Sequence, residues 1–261
     1  MTALRLLWLH LRIGVMNELQ YRANFVLQLG ESAIGLLTAL LGLGIVFAKT
    51  DDLGGWSPDE LLVVVGIYFL VGGLAQMVVQ PSLQRFMEDV RQGTLDFTLT
   101  KPVDAQTLVS IRQVEVWKLV DIAIGIGVLV VALVRLGHAI GPAEAAAFLV
   151  ALLAGAAIVY AFLMILATCV FWFIRLDNIL VIFQSMYEAG RWPITIYPSW
   201  LRLGLTFLVP IGFAVTVPAQ GLVGRLTLEL LAGAVALAVA MPLAARWFWH
   251  LGLRRYGGAS A

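Results

Sequence analysis

The chain has 261 residues, of which 61% are hydrophobic and 13% are charged, and its mean hydropathy is +0.93. Soluble domains are about half apolar and about a quarter charged, so this composition excludes an ordinary water-soluble fold and predicts an integral membrane protein. The net charge of +1 gives no reason to expect nucleic acid as a partner, and the single Cys169 excludes an internal disulfide.

Residues 1–22 are predicted to form a helix that lies in the membrane interface. Apolar residues recur there at helical spacing, whereas arginines occupy other positions of the helical wheel. The apolar set is Leu4, Trp8, Leu11 and Val15, and the arginines are Arg5 and Arg12. The alternative is that this stretch is a polar lead-in to the first membrane span.

Six segments are apolar enough to cross a bilayer, which takes about 20 residues of helix. They cover about 24–48, 61–79, 116–134, 145–174, 178–193 and 226–249. Because these runs lack period-two alternation, we predict an all-α fold with six transmembrane helices in a single domain over residues 1–261. Twelve of the 17 lysines and arginines fall on the side of the two termini, which predicts that both termini are cytoplasmic.

A charged segment over residues 82–104 separates the second and third spans, and Pro81 is predicted to end the second span. Its first part, 82–92, has the pattern of an amphipathic helix that stops at Gly93. The apolar stripe is Leu83, Phe86, Met87 and Val90, and the polar face is Gln84, Arg85, Glu88, Asp89 and Arg91. The mixed charge of this face favours a groove in a partner protein over anionic lipid. The alternative is a surface helix that covers the ends of other helices.

The segment over residues 192–224 is apolar but is cut by four prolines. They are Pro193, Pro198, Pro210 and Pro218, and the pieces between them are too short to cross a membrane alone. Irregular backbone at membrane depth is tolerated only where it is buried in protein or lines a cavity. We therefore predict broken re-entrant helices on the outer side between spans five and six. The alternative is a seventh span over 200–217 that is kinked at Pro210.

These elements and their motifs together resemble a known family. The motifs are Tyr21-Arg-Ala-Asn-Phe25, Gly93-Thr-Leu-Asp-Phe-Thr-Leu-Thr-Lys-Pro-Val103, Pro193-Ile-Thr-Ile-Tyr-Pro198 and Val209-Pro-Ile-Gly-Phe-Ala-Val-Thr-Val-Pro-Ala219. Over essentially its whole length, the chain resembles a permease subunit of the type-2 ATP-binding-cassette (ABC) exporter family, in the compact branch of roughly this length.

The resemblance implies a partnership that the residues alone do not establish. Two permeases, identical or related, pair around a central pathway in the bacterial cytoplasmic (inner) membrane, surrounded by lipid. A cytoplasmic coupling helix docks into a separate ATPase subunit, which binds ATP and Mg. The docking residues would be Leu83, Arg85, Phe86, Met87, Glu88, Val90 and Arg91. The cargo would be an amphipathic drug, lipid or glycolipid-like molecule, exported by ATP-driven alternating access.

The sequence is consistent with a chain that carries no motor and no cofactor of its own. It contains no Gly-x-x-x-x-Gly-Lys-Ser/Thr loop that would cradle phosphates, and we find no pairing of nucleophile and base, so we expect no catalytic site. His10, His138 and His250 are far apart in sequence, so we expect no metal site. A gradient-driven transporter or channel, or a membrane scaffold without transport, is the alternative function.

Polar residues within the spans are functional candidates, because charge is costly at membrane depth. Gln28, Glu31, Ser32 and Gly35 share one face of the first span and are predicted to line the pathway or the dimer interface. The alternative is a hydrogen bond that only packs helices together. Asp121 is expected to pair with Lys118, and Glu188 and Arg191 are expected to form a structural clamp or to contact substrate.

Overall fold

The structure is a computed structural model, and it describes residues 22–137, 141–173, 176 and 178–257. The predicted interfacial helix over 1–22 therefore lies almost wholly outside the described residues. In the described part of the chain the regular structure is helical, apart from one isolated β-bridge between Leu53 and Trp56. The predicted all-α class is confirmed.

Eleven α-helices follow one another through the described residues. In chain order they are α1 (Arg22–Phe47), α2 (Pro58–Leu74), α3 (Gln80–Gln92), α4 (Asp96–Leu99), α5 (Ala105–Ser110), α6 (Leu119–Leu136), α7 (Pro142–Thr168), α8 (Ile179–Tyr187), α9 (Ser199–Leu203), α10 (Val217–Leu222) and α11 (Leu228–Leu253). Five helical stretches are long and apolar enough to cross a membrane, namely Val26–Phe47, Pro58–Gln92, Val116–Leu136, Pro142–Phe171 and Leu228–Leu253.

Contacts between distant residues define two ends of this helix bundle. At the first end, which we call the amphipathic end, α3 meets the end of α11, and the rings of Phe86 and Trp249 lie 5.0 Å apart. At the opposite end, which we call the proline end, the indole N–H of Trp56 donates to Thr195 Oγ1 at 3.0 Å. The long helices run between these two ends.

The chain also crosses between the two ends through a shorter helix. Trp172 stacks on Phe248 with ring centroids 5.0 Å apart, which places it at the amphipathic end. Thr195 lies at the proline end. Helix α8 and the 3₁₀ turn Glu188–Arg191 make the crossing in between, as the fifth passage in chain order, although they are too short to count among the long apolar stretches. Together with the five long stretches, they give the six predicted passages through the bundle.

The proline-cut segment leaves the proline end and returns to it. It begins beside Thr195 and closes at Arg225, whose guanidinium donates to Glu60 Oε1 at 2.6 Å on the same end. Between them, Ser199–Leu208 and Gly212–Leu222 form a helix pair bent by 82°. A segment that starts and finishes at one end is re-entrant, so the prediction is confirmed and a seventh span does not fit these contacts.

The prediction that Pro81 ends the second span is wrong. Residues Pro58–Gln92 form one helical stretch of 35 residues, which widens into a π turn at Ala75–Val79. Pro81 has no N–H, so the Met77 carbonyl lacks its usual donor four residues later. The backbone N–H of Glu115 supplies that donor at 2.8 Å. The helix therefore continues through the proline and ends at Gly93, which has the left-handed φ of +69° typical of a helix stop.

The core is built around α2, whose central residues are almost all buried. Its closest neighbour is α6, and the two helices touch at the glycines Gly66 and Gly125. A Cβ added to Gly125 would lie 2.6 Å from the backbone nitrogen of Leu70 and 2.7 Å from the carbonyl oxygen of Gly66. Only glycine permits this approach, and small residues at crossings are typical of membrane helices.

Candidate functional site

An open cleft of about 440 Å³ lies between α1, α2, α8 and the start of α6. The four residues predicted for the pathway or dimer interface, Gln28, Glu31, Ser32 and Gly35, all line it. The structure thus brings the predicted polar face of α1 together with a facing wall, although its role stays a prediction. The facing wall includes Tyr68, Phe69, Gly72, Gln76, Asp121, Gln184, Glu188 and Arg191.

The polar groups of α1 are satisfied to different degrees. Ser32 is buried and accepts a hydrogen bond of 3.4 Å from Gln28 Nε2, one turn earlier on the same helix, so this bond does not join two helices. Glu31 is exposed in the cleft, and none of the described residues forms an ion pair or hydrogen bond with it. An ionised side chain within the apolar part of a membrane is costly, and Glu31 lies in the apolar stretch Val26–Phe47, near its start. A carboxylate kept there without a partner therefore needs water, substrate or another subunit.

Three of the other charges of the cleft contact groups of the chain itself. Lys118 Nζ lies 3.6 Å from Asp121 Oδ2, which confirms the predicted local pair. Arg191 lies over the ring of Tyr68, 5.3 Å from its centroid, so its cation interacts with an aromatic face. Glu188 lines the cleft and is exposed. Its predicted role as a clamp or substrate contact stays a prediction.

Two of the three glutamines that line the cleft were not predicted from the sequence. Gln76 and Gln184 line it, and Gln80 donates to Gln184 Oε1 at 3.0 Å, which ties α3 to α8. Glutamines within apolar runs are the sequence signal that could have identified them.

Helix α3 is amphipathic as predicted, but its apolar stripe faces the protein's own core. Leu83 and Phe86 are 0% exposed and Met87 is 4% exposed. Phe86 contacts Phe171 and Trp249, so the stripe covers helix ends, as the alternative interpretation had it. The surface open to a partner is the polar face, which borders a shallow depression of about 400 Å³. Its polar lining residues are Gln84, Arg85, Glu88, Arg91 and Gln113.

A buried carboxylate fixes α3 to the following loop. Asp89 is 1% exposed and forms an ion pair with Arg112 and a second with Arg85, whose Nε lies 3.4 Å from Asp89 Oδ1. Thr94 Oγ1 donates to the same carboxylate at 3.3 Å. The polar face of α3 is thus held by charges that are 23 residues apart in sequence. Sequence spacing gives no signal for the pair with Arg112.

A family model described as an ABC-2 family transporter protein matches residues 33–260. The chain belongs to the ABC-2 transporter family. No curated protein and no solved structure matches the chain. Family membership makes it a multi-pass membrane permease of an ABC transporter and implies an ATP-binding-cassette partner.

The ABC-2 permease has a second ion pair that joins its last span to the amphipathic end. Arg246 donates to both carboxylate oxygens of Asp104, at 2.9 and 2.5 Å, and to Gln106 at 2.9 Å. The hydrogen bonds from Arg246 lower the pKa of Asp104 to about 2. Because Asp104 also accepts from the backbone N–H of Thr107, this carboxylate caps α5 and anchors α11 at once.

At the proline end, the re-entrant segment of the permease is joined to the start of α2. Arg225 binds Glu60 and the Gly55 carbonyl, and its guanidinium lies 5.4 Å from the ring centroid of Trp56. Glu60 also accepts from the backbone N–H of Ser57 in a capping box that begins α2. The helix that carries α3 at one end is therefore clamped to the re-entrant segment at the other.

Proposed function

We propose that this chain is the membrane permease of an ABC exporter whose ATPase is a separate subunit. The single observation that carries the proposal is the continuous stretch Pro58–Gln92, which links the cleft to a polar helix face beyond the membrane. A helix of 35 residues is about 50 Å long, whereas the hydrocarbon core is about 30 Å thick. Helix α3 therefore projects from the membrane, where a water-soluble ATPase can reach it.

The ATPase docks on the polar face of α3. The apolar residues Leu83, Phe86 and Met87 pack against the protein core and hold the helix in place. The contact with the ATPase is made by the charged residues Arg85, Glu88 and Arg91. A groove that accepts this face is itself polar and carries charges of both signs. ATP and Mg are held by that partner, and its movements pass to the cleft through α2.

A second permease, identical or related, closes the cleft on its open side. The polar residues of α1 support this assignment, because exposed carboxylates at membrane depth are disfavoured against lipid. The pathway then lies between the two chains, and an amphipathic cargo such as a drug or lipid moves outward through it. The bias of lysine and arginine supports a cytoplasmic amphipathic end in a bacterial inner membrane, with both termini on that side.

The docking proposal is tested by reversing one exposed charge. Glu88→Arg alters the open face of α3 and removes a 3.2 Å surface pair with Arg85, which costs stability at most about 1 kcal/mol. Co-expressed with its ATP-binding-cassette partner, the wild-type chain should retain the ATPase on purification and Glu88→Arg should lose it. Glu229→Arg, an exposed change at the proline end of α11, is the control and should retain it.

Equal retention by both variants would contradict the docking surface. Phe86→Asp is not a suitable variant, because Phe86 is fully buried against Phe171 and Trp249, and a charge there would unfold the amphipathic end.

A further inference from the structure

We propose that the cleft selects a cationic amphiphile, a molecule with an apolar or aromatic body and a positive charge, and that Glu31 and Glu188 are the residues that select the charge. This inference rests on the proposed transport function and names the substrate class of the same site. It follows from the balance of charges that line the cleft and from which of them are already paired.

The cleft continues towards the amphipathic end as a second depression of about 410 Å³. The two share Gln28, Glu31, Gln76 and Lys118, and the second adds Glu115 and Trp117. Together they contain four carboxylates and only two cations. The carboxylates are Glu31, Glu115, Asp121 and Glu188, and the cations are Lys118 and Arg191.

Only one of the two cations is in an ion pair, since Lys118 lies 3.6 Å from Asp121. Arg191 lies over the Tyr68 ring and has no ion pair among the described residues, so it balances only one of the remaining carboxylates. Glu31 and Glu188 have no ion pair among the described residues, and both are exposed to the cleft. The four carboxylates outnumber the two cations, so a cationic ligand would offset the excess of acidic groups, whereas an anionic ligand would add to it.

The walls also suit an apolar body. Phe69 forms part of one wall and Trp117 lies at the extension, so rings are present at both levels of the cleft, whereas the Tyr68 ring already contacts Arg191 and Tyr187. Aromatic faces attract cations through the ring quadrupole, and they exclude water from an apolar substrate. A cleft with aromatic walls and unpaired carboxylates fits a lipophilic cation better than a sugar or an anionic lipid.

The test compares two ions of the same size and shape, the cation tetraphenylphosphonium and the anion tetraphenylborate. Their binding to the purified permease–ATPase complex is measured by equilibrium dialysis, with empty micelles subtracted. We expect the complex to bind the cation at least about tenfold more tightly than the anion. Glu31→Gln and Glu188→Gln should each weaken cation binding by about fivefold or more and leave anion binding unchanged or stronger.

Glu229→Gln is the matched control, because it removes an exposed carboxylate of the same type outside the cleft, and it should bind like the wild type. Equal binding of the two ions, or cation binding that both cleft variants retain in full, would overturn the proposal. In that second outcome the carboxylates would serve the contact with the second permease instead. Retention of the ATPase depends on Glu88 and not on these residues, so a failure here is distinguishable from a failure of the transport proposal.

Discussion

Helices α1 and α2 line the same cleft but differ in how the rest of the chain surrounds them. In the most apolar stretch of the segment that contains α2, 67% of the residues are buried, whereas in α1 the figure is 17%. Helix α2 touches α6 at backbone distance through Gly66 and Gly125. On α1, by contrast, a Cβ added to Gly30 or Gly44 would meet nothing within 4 Å.

The two helices differ in where their neighbours come from. The chain itself supplies the surroundings of α2, so α2 is the structural axis of the permease. The apolar side of α1 suits lipid, but its polar side carries Glu31 and suits water or another subunit. The comparison predicts that substitutions in α2 and its contacts reduce stability, whereas substitutions on the cleft side of α1 change function.

The largest loss of stability is expected from a substitution that disrupts the close contact between α2 and α6. Gly125→Ala places a methyl group against the backbone of Leu70 and Gly66, which cannot move aside without separating the helices, and should cost about 2–3 kcal/mol. Gly127→Ala is the control on the same helix, because a Cβ there meets nothing within 4 Å. Thermal unfolding in detergent should show a large fall in Tm for Gly125→Ala only. Equal Tm values for the two variants would show that α2 is not tightly packed.

The next largest loss of stability is expected from replacing Asp89, the buried and paired carboxylate at the amphipathic end. Asp89→Ala removes a buried acceptor from Arg112, Arg85 and Thr94, and should cost about 2 kcal/mol, since both arginines keep some contact with water. Glu88→Ala, one residue earlier on the exposed face, should cost less than about 1 kcal/mol. The measurement is again the change in Tm. A larger loss from Glu88→Ala would contradict the assigned burial of Asp89.

A smaller difference in stability is expected between variants of two acidic residues that line the cleft. Asp121→Asn leaves Lys118 without its partner at a nearly buried site and should lower stability by about 1 kcal/mol. Glu31→Gln removes a charge that has no partner in the chain and should leave stability unchanged or slightly raised. Unfolding curves of the two variants in the same detergent test this order, and the reverse order would contradict the description of Glu31 as unpaired.

The smallest effect is a pH dependence at the amphipathic end. The folded pKa of Asp104, about 2, lies below its ordinary value of 3.8, so its contribution is present above about pH 4 and is lost as the pH falls towards 2. The pair with Arg246 is partly exposed, so this contribution is about 0.5–1 kcal/mol. Asp104→Asn should therefore be less stable than the wild type at about pH 6 and equal to it at about pH 2. A constant difference across this range would exclude the ion pair as its cause.

The sequence predicts the crossings well, because long apolar runs have few structures available to them in a bilayer. It also predicts the re-entrant segment from its prolines, since each piece is too short to cross. The effect of Pro81 was predicted wrongly because it depends on the N–H of Glu115, which lies far along the chain. A proline's effect on a helix depends on whether the freed carbonyl finds another donor and on whether the backbone widens to avoid the ring, as the π turn Ala75–Val79 does here.

The candidate site was predictable only in part. A lone charge in an apolar run was enough to identify Glu31, but the opposite wall of the cleft comes from three other helices. The stripe on α3 was predicted as an amphipathic pattern, yet the pattern does not say what covers it. Phe171 and Trp249 do so, and both are remote in sequence from Phe86. Periodicity gives a helix two faces, whereas tertiary contacts decide which face is free.

In the proposed exporter, the cleft side of α1 faces a water-filled pathway controlled by ATP. The most direct measurement is the labelling rate of Glu31→Cys, in a Cys169→Ala background, by a membrane-impermeant maleimide with the complete permease–ATPase complex in membranes. We predict that Glu31→Cys is labelled, that trapping the ATPase with vanadate changes its rate, and that Leu37→Cys on the exposed apolar side of α1 stays unlabelled. A water-filled, ATP-controlled pathway is contradicted if Glu31→Cys is as unreactive as Leu37→Cys. It is also contradicted if vanadate trapping of the ATPase leaves the labelling rate of Glu31→Cys unchanged.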